Sequence, residues 1–163
     1  FSANIRIHRF GFRLYMLNFR QSIVRHAQSY SAGLENAHVA LGKKLAGFET
    51  KGEPPLLALG DAGALPYFSR WRTVDTWGLN DPVLSMSSEY DSAYALSRGA
   101  DVFIVISTKP DEFAAAFRWE KELHAGCLEK GMRKIISLQA WSSYHLWVMA
   151  YPESAAGKFL AGK

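Results

Sequence analysis

Val102-Phe103-Ile104-Val105-Ile106 is an unbroken run of β-branched and aromatic side chains. A strand that is apolar on both faces has to be covered on both, and such strands sit centrally in parallel sheets beneath crossover helices. The run therefore restricts the fold more than any other stretch of the chain. Asp101 leads into it, and Ser107-Thr108-Lys109-Pro110-Asp111 follows as a cap for a helix through Phe113, Phe117 and Glu120 towards Lys130, with Gly131 as its stop.

The remaining elements fall in place around that strand. Leu34, Ala37, Leu41, Leu45 and Phe48 form one helical stripe over residues 31–48, with Gly47, Gly52 and Pro54-Pro55 as stop signals. His38 lies beside the stripe and reads as a surface or internally satisfied residue. The run Leu56 to Leu59 before Gly60-Asp61 reads as a buried strand ending at a turn, followed by a short helix from Ala62 to Phe68 and a second strand from Trp71 to Trp77. Gly78 to Pro82 closes that strand with turn-forming residues, and Ser88 caps a helix predicted from Glu89 to Arg98. Lys134–Trp141 and Tyr144–Tyr151, separated by Ser142-Ser143, form an antiparallel hairpin, and residues 152–163 read as a fraying tail. The order of elements predicts an α/β fold: a three-layer α/β/α Rossmann-like arrangement with a mainly parallel sheet and a C-terminal antiparallel hairpin. It divides into an arm (1–30), a single α/β domain (31–151) and a tail (152–163).

A length of 163 residues suits one domain, and 48% hydrophobic with 21% charged residues excludes a disordered chain. The longest apolar runs fall well short of the roughly 20 residues needed to span a bilayer. Cys127 is the sole cysteine, so no intrachain disulfide can form and thiol-based metal clusters are excluded. A start at Phe1 with Arg6 and Arg9 close behind resembles neither a signal peptide nor a natural initiation, and points to a chain cut from something longer.

Charge is distributed unevenly. Residues 1–34 hold five arginines (Arg6, Arg9, Arg13, Arg20, Arg25) and no acid, which is +5, against −1 for the rest and +4 overall. Phe12, Tyr15, Phe19 and Ile23 recur at helical spacing among them, so the later arm reads as an amphipathic basic helix suited to an anionic membrane surface. The competing reading is an ordinary helix with its aromatics on the domain; no nucleic-acid reading motif accompanies the arginines.

Ligands of open α/β sheets bind outside the carboxyl ends of the parallel strands, where Asp61, Asp75-Thr76 and Ser107-Thr108 are expected. Asp61, Tyr67, Asp75, Trp77, Asn80 and Asp81 are the candidate substrate-binding residues, facing a sugar hydroxyl, a cation or another loop. The structural alternative has Asp61 capping the helix from Ala62, Asp75 binding amides at a strand end and Asp81 opening the turn before Pro82. Gly60-Asp61-Ala62-Gly63 lacks phosphate-loop spacing, and Asp61 would repel a phosphate there. His124 and Cys127 lack a second ligand pair, and no Gly-x-Ser-x-Gly elbow occurs, so no metal, cofactor or catalytic residue is assigned.

The segments D-A-G-A-L-P-Y-F-S (Asp61 to Ser69) and V-D-T-W-G-L-N-D (Val74 to Asp81) together resemble the signature of the soluble C-terminal domain of bacterial polytopic glycosyltransferases of the GT-C type. The resemblance covers about twenty residues directly and extends more loosely from Ser31 to Tyr151. It implies a domain on the periplasmic face of the inner membrane, partnered by the transmembrane part of its parent and by a glycan or lipid-linked acceptor. The family uses polyprenyl-phosphate sugars and carries its catalytic acid in an early extracytoplasmic loop that this chain lacks. The domain alone is therefore expected to assist acceptor binding or docking without catalysing transfer.

Overall fold

The computed structural model describes residues 22–86 and 91–162. The chain divides into two units, Phe1–Ala32 and Gly33–Lys163. Residues 22–32 of the first are helical and exposed, with Ile23, Val24 and Tyr30 open to solvent and Arg25 among them. Arg6, Arg9, Arg13, Arg20 and the proposed Ser88 cap lie outside the described residues.

The second unit opens with a π-helical turn over Leu34–Val39, where the Ala40 N–H reaches back to the Glu35 carbonyl, and passes into α1 (Ala40–Ala46). There follow β1 (Leu56–Leu59), α2 (Ala64–Ser69), β2 (Arg72–Asp75), a 3-10 turn over Leu84–Met86, and α3 (Ser92–Ser97). The chain ends with β3 (Val102–Ser107), α4 (Arg118–Glu129), β4 (Arg133–Trp141), β5 (Tyr144–Ala150) and α5 (Ala155–Ala161).

The five strands form a mixed sheet flanked by helices, in the order β2-β1-β3-β5-β4. β3 is central and fully buried, as its composition requires. β1 pairs in parallel with β2 and β3, whereas β5 pairs antiparallel with both β3 and β4, so the sheet is mixed. The C-terminal hairpin forms one edge of the sheet as expected, with β5 returning through the two-residue turn to lie between β3 and the outermost strand β4.

Alternation along the strands sorts the core into two clusters. Leu57, Leu59, Ile104, Ile106 and Val148 pack with Leu41, Leu45, Leu65 and Leu160, whereas Ala58, Phe103, Val105 and Met149 pack with Ala95, Leu123 and Cys127.

Three further expectations change. The helix predicted from Asp111 begins at Arg118, because Ser107 Oγ accepts the N–H groups of Lys109 (3.2 Å) and Ala114 (3.1 Å) and folds 107–114 back along the strand end. The helix expected from Glu89 is Ser92–Ser97, capped by Asp91, whose carboxylate accepts the Tyr94 N–H at 2.9 Å. The C-terminal segment is not a fraying tail: Ser154 caps α5 by accepting the Gly157 N–H, Leu160 is 1% exposed, and Phe159 meets Phe48 edge-on at 5.2 Å.

Candidate functional site

Just past the end of β1, residue 60 has to be glycine because the indole of Trp77 lies where a Cβ would stand. The chain then turns through Asp61, with the Ala62 N–H bonded to the Gly60 carbonyl and the Gly63 N–H to the Asp61 carbonyl. Asp61 does not cap the following helix, whose N-cap is Gly63 and carries no side-chain bond. Its carboxylate turns instead towards the π-helical turn: Oδ2 lies 3.2 Å from His38 Nε2 and accepts from Tyr144 Oη at 3.4 Å. His38 is fully buried, with the rings of Trp141 and Tyr144 at 6.0 and 6.2 Å, while the Asp61 side chain remains 31% exposed.

The Nε2···Oδ2 contact is close but falls short of hydrogen-bond alignment, and His38 Nδ1 has no protein partner among the described residues. Proximity to His38 holds the Asp61 carboxyl below the ordinary carboxylate range, against the opposing push of burial and with help from Tyr144. Asp61 is thus a carboxylate fixed on one side by an imidazole and a phenol, and open on the other to a hydroxyl or amine donor.

The other motif acids are buried and turn mainly to their own loop. Asp75 Oδ1 accepts the N–H groups of Trp77 (3.0 Å) and Gly78 (3.3 Å), and Oδ2 accepts both the backbone N–H (2.9 Å) and the Nδ2 amide (3.0 Å) of Asn80. Four donors occupy the roughly four lone-pair sites of a carboxylate, so Asp75 and Asn80 satisfy each other. Asp81 Oδ1 accepts from the backbone of Val83 and Leu84 at 2.9 and 3.1 Å, starting the 3-10 turn, and the Tyr94 hydroxyl approaches both oxygens at 3.4 Å. Tyr67 stands 78% exposed on α2 against Phe68.

Trp77 leads to a group that sequence reasoning did not single out. Its Nε1–H donates to Glu120 Oε1 at 3.3 Å, and its ring meets Phe117 edge-on. Glu120 is fully buried in the first turn of α4, where Oε2 accepts the Ile106 N–H at 2.9 Å. Burial raises its carboxyl to about 7 against the downward pull of both bonds. The signal was available: Glu120 shares the i, i+3, i+7 stripe with buried Leu123 and Cys127.

His124 stacks on Phe113 at a centroid distance of 3.8 Å, and burial lowers its pKa. Cys127 is buried in the core, and the same effect pushes its thiol up to about 12. Among the described residues no group of three or more His, Cys, Asp or Glu side chains could hold a metal ion, and no helix is long and apolar enough to cross a membrane.

Residues 23–154 match DUF8728, a family described as a domain of unknown function. The chain belongs to this family. The DUF8728 match takes in the whole sheet together with His38, Asp61, Glu120 and Tyr144. No curated protein and no solved structure matches the DUF8728 chain.

Proposed function

We propose that residues 33–163 form a three-layer α/β/α Rossmann-like domain on the extracytoplasmic, periplasmic side of an integral-membrane glycosyltransferase. In this reading the domain binds the acceptor glycan or lipid-linked acceptor and leaves sugar transfer to the rest of the parent. One observation carries the reading: of the motif acids, Asp61 alone keeps a side open to solvent at the carboxyl end of a parallel strand, while Asp75 and Asp81 are buried, bonded to their own loop and, for Asp81, to Tyr94. A fixed, ionised carboxylate accepts hydrogen bonds from sugar hydroxyls, and leaving it unpaired in a complex with the wrong ligand is costly. The loop built by Asp75 and Asp81 also exposes Leu79, Val83 and Met86, an apolar set suited to docking against the transmembrane part. The basic arm would then lie along anionic lipid.

Transfer from a polyprenyl-phosphate sugar, assayed in membranes holding the intact gene product, tests this reading. Asp61→Asn should raise the acceptor KM about tenfold, the equivalent of one charge-assisted hydrogen bond, with kcat little changed. A collapse of kcat at unchanged KM, or multiple turnovers by purified residues 1–163, would overturn it.

A second reading, a self-contained α/β enzyme or ligand-binding protein using the same rim, is favoured by the sealed His38 beside Asp61, an arrangement able to hold or pass a proton. The reading frame ahead of Phe1 separates the two: several apolar spans support the glycosyltransferase, and a start codon supports the self-contained protein.

A further inference from the structure

Tyr144 and His145 are adjacent on β5 and therefore point to opposite faces of the sheet. Tyr144 serves Asp61, whereas His145 lines a groove of about 580 Å³ on the other face. The floor is the β4–β5 hairpin: Lys134, Ser137 and Gln139 pair across the strands with Met149, Trp147 and His145, and so share the face of His145. The loop carrying Thr108, Pro110 and Asp111 supplies a wall.

One polar group opening on this groove is unmatched by protein. His145 is 5% exposed, and its imidazole makes no hydrogen bond or ion pair among the described residues. Ser137 Oγ is also unpartnered but sealed beneath the floor. Largely buried polar side chains are normally bonded, so an unmatched imidazole lining a groove of ligand-site size calls for an outside partner.

The lining indicates which partner. Lys134 Nζ donates to the Pro110 carbonyl at 3.0 Å and sits 4.1 Å over the Trp147 ring, while Lys109 is paired with Glu112. The lining thus holds one ammonium, Lys134, and one carboxylate, Asp111, and carries no net charge that would select an ion. What the groove offers is neutral donors and acceptors in Gln139, Ser142 and His145, beside one ammonium and one acceptor-only carboxylate. We infer that this groove is a second ligand site, separate from Asp61, for a small neutral polyhydroxylated molecule of the sugar class. Each hydroxyl of such a ligand both donates and accepts, which meets the unpaired imidazole together with the Gln139 amide and the carboxylate.

Backbone-amide NMR of the ¹⁵N-labelled chain tests this with glucose, galactose, mannose, xylose and maltotriose, and inorganic phosphate as the anionic probe. Saturable shifts at Gln139, Ser142 and His145 with at least one saccharide are expected. Gln139→Ala, a change at an exposed position that should leave the fold intact, is expected to weaken that binding about tenfold, the equivalent of one hydrogen bond. Asp61→Asn is expected to leave it unchanged, which keeps the result independent of the acceptor-binding reading. A response to phosphate alone, no saturable response to any saccharide, or saccharide shifts indifferent to Gln139→Ala would overturn the inference.

Discussion

His38 Nε2 lies 3.2 Å from Asp61 Oδ2, with the imidazole sealed from solvent and the carboxylate about one-third open to it. The contact joins a π-helical turn to the end of β1 and gives Asp61 a folded-state pKa below its unfolded value. A depressed carboxylate pKa adds stability above the unfolded pKa, lost as pH falls through the folded one. Urea denaturation at several pH values should therefore show wild type losing an acid-sensitive increment that Asp61→Asn lacks, with the two curves converging below the ordinary carboxylate range. Parallel curves for the two proteins would show that ionisation of Asp61 adds no stability.

Asp75 and Asp81 should rank by the number of donors each would strand. Asp75→Ala leaves the Trp77 and Asn80 backbone N–H groups and the Asn80 amide without their acceptor, while the Gly78 N–H keeps the residue-75 carbonyl, and should cost about 3 kcal/mol. Asp81→Ala removes a cap of two backbone donors and should cost about 1–2 kcal/mol. Chemical denaturation gives both values, and the reverse ranking would mean that the Asp75 network reforms around water.

Glu120 predicts the opposite pH dependence from Asp61. Its pKa is raised from 4.5 to about 7, so the folded state binds the extra proton in that window. Stability should be highest below pH 4.5 on this account, fall as pH rises towards 7 and level off above it, by about 3 kcal/mol in all. Glu120→Gln should flatten this limb while costing about 1 kcal/mol at acid pH, because an amide nitrogen cannot accept from both the Ile106 N–H and the Trp77 indole. A pH-independent wild type would show that water reaches the carboxyl.

The basic arm makes a prediction about surfaces. Residues 1–30 should bind anionic vesicles in a salt-sensitive way, and a chain beginning at Ser31 should be retained less in co-sedimentation. Ile23 and Val24, about half exposed on the described helix, supply part of the apolar face. Equal retention of the two chains would assign the arginines to solvation alone.

Features set by local chemistry were readable from the sequence. The β3 run, the hairpin around Ser142-Ser143 and the helix stop at Gly131, whose φ is +87°, each announce themselves within a few residues. The Asp75 network is local too, with its donors two, three and five residues further on. The insertion of β5 beside β3 is a tertiary choice that no window displays. The partners of Asp61 come from 23 residues before it and 83 after it, so its role could not be separated from capping by inspection. The last helix escaped because Ala156 and Leu160 give it only two clear apolar anchors, too few for a period.

That last helix has a consequence for synthesis. Lys44 Nζ donates to the Leu160 carbonyl at 2.8 Å, and Phe159 closes on Phe48, so a segment translated more than a hundred residues later clamps the helix that opens this unit. A nascent chain cannot complete this side of its core until residue 160 has cleared the ribosome exit, and until then Leu41, Leu45 and Phe48 lack their cover. Release of the chain before Phe159 would therefore leave an apolar seam over Leu41, Leu45 and Phe48.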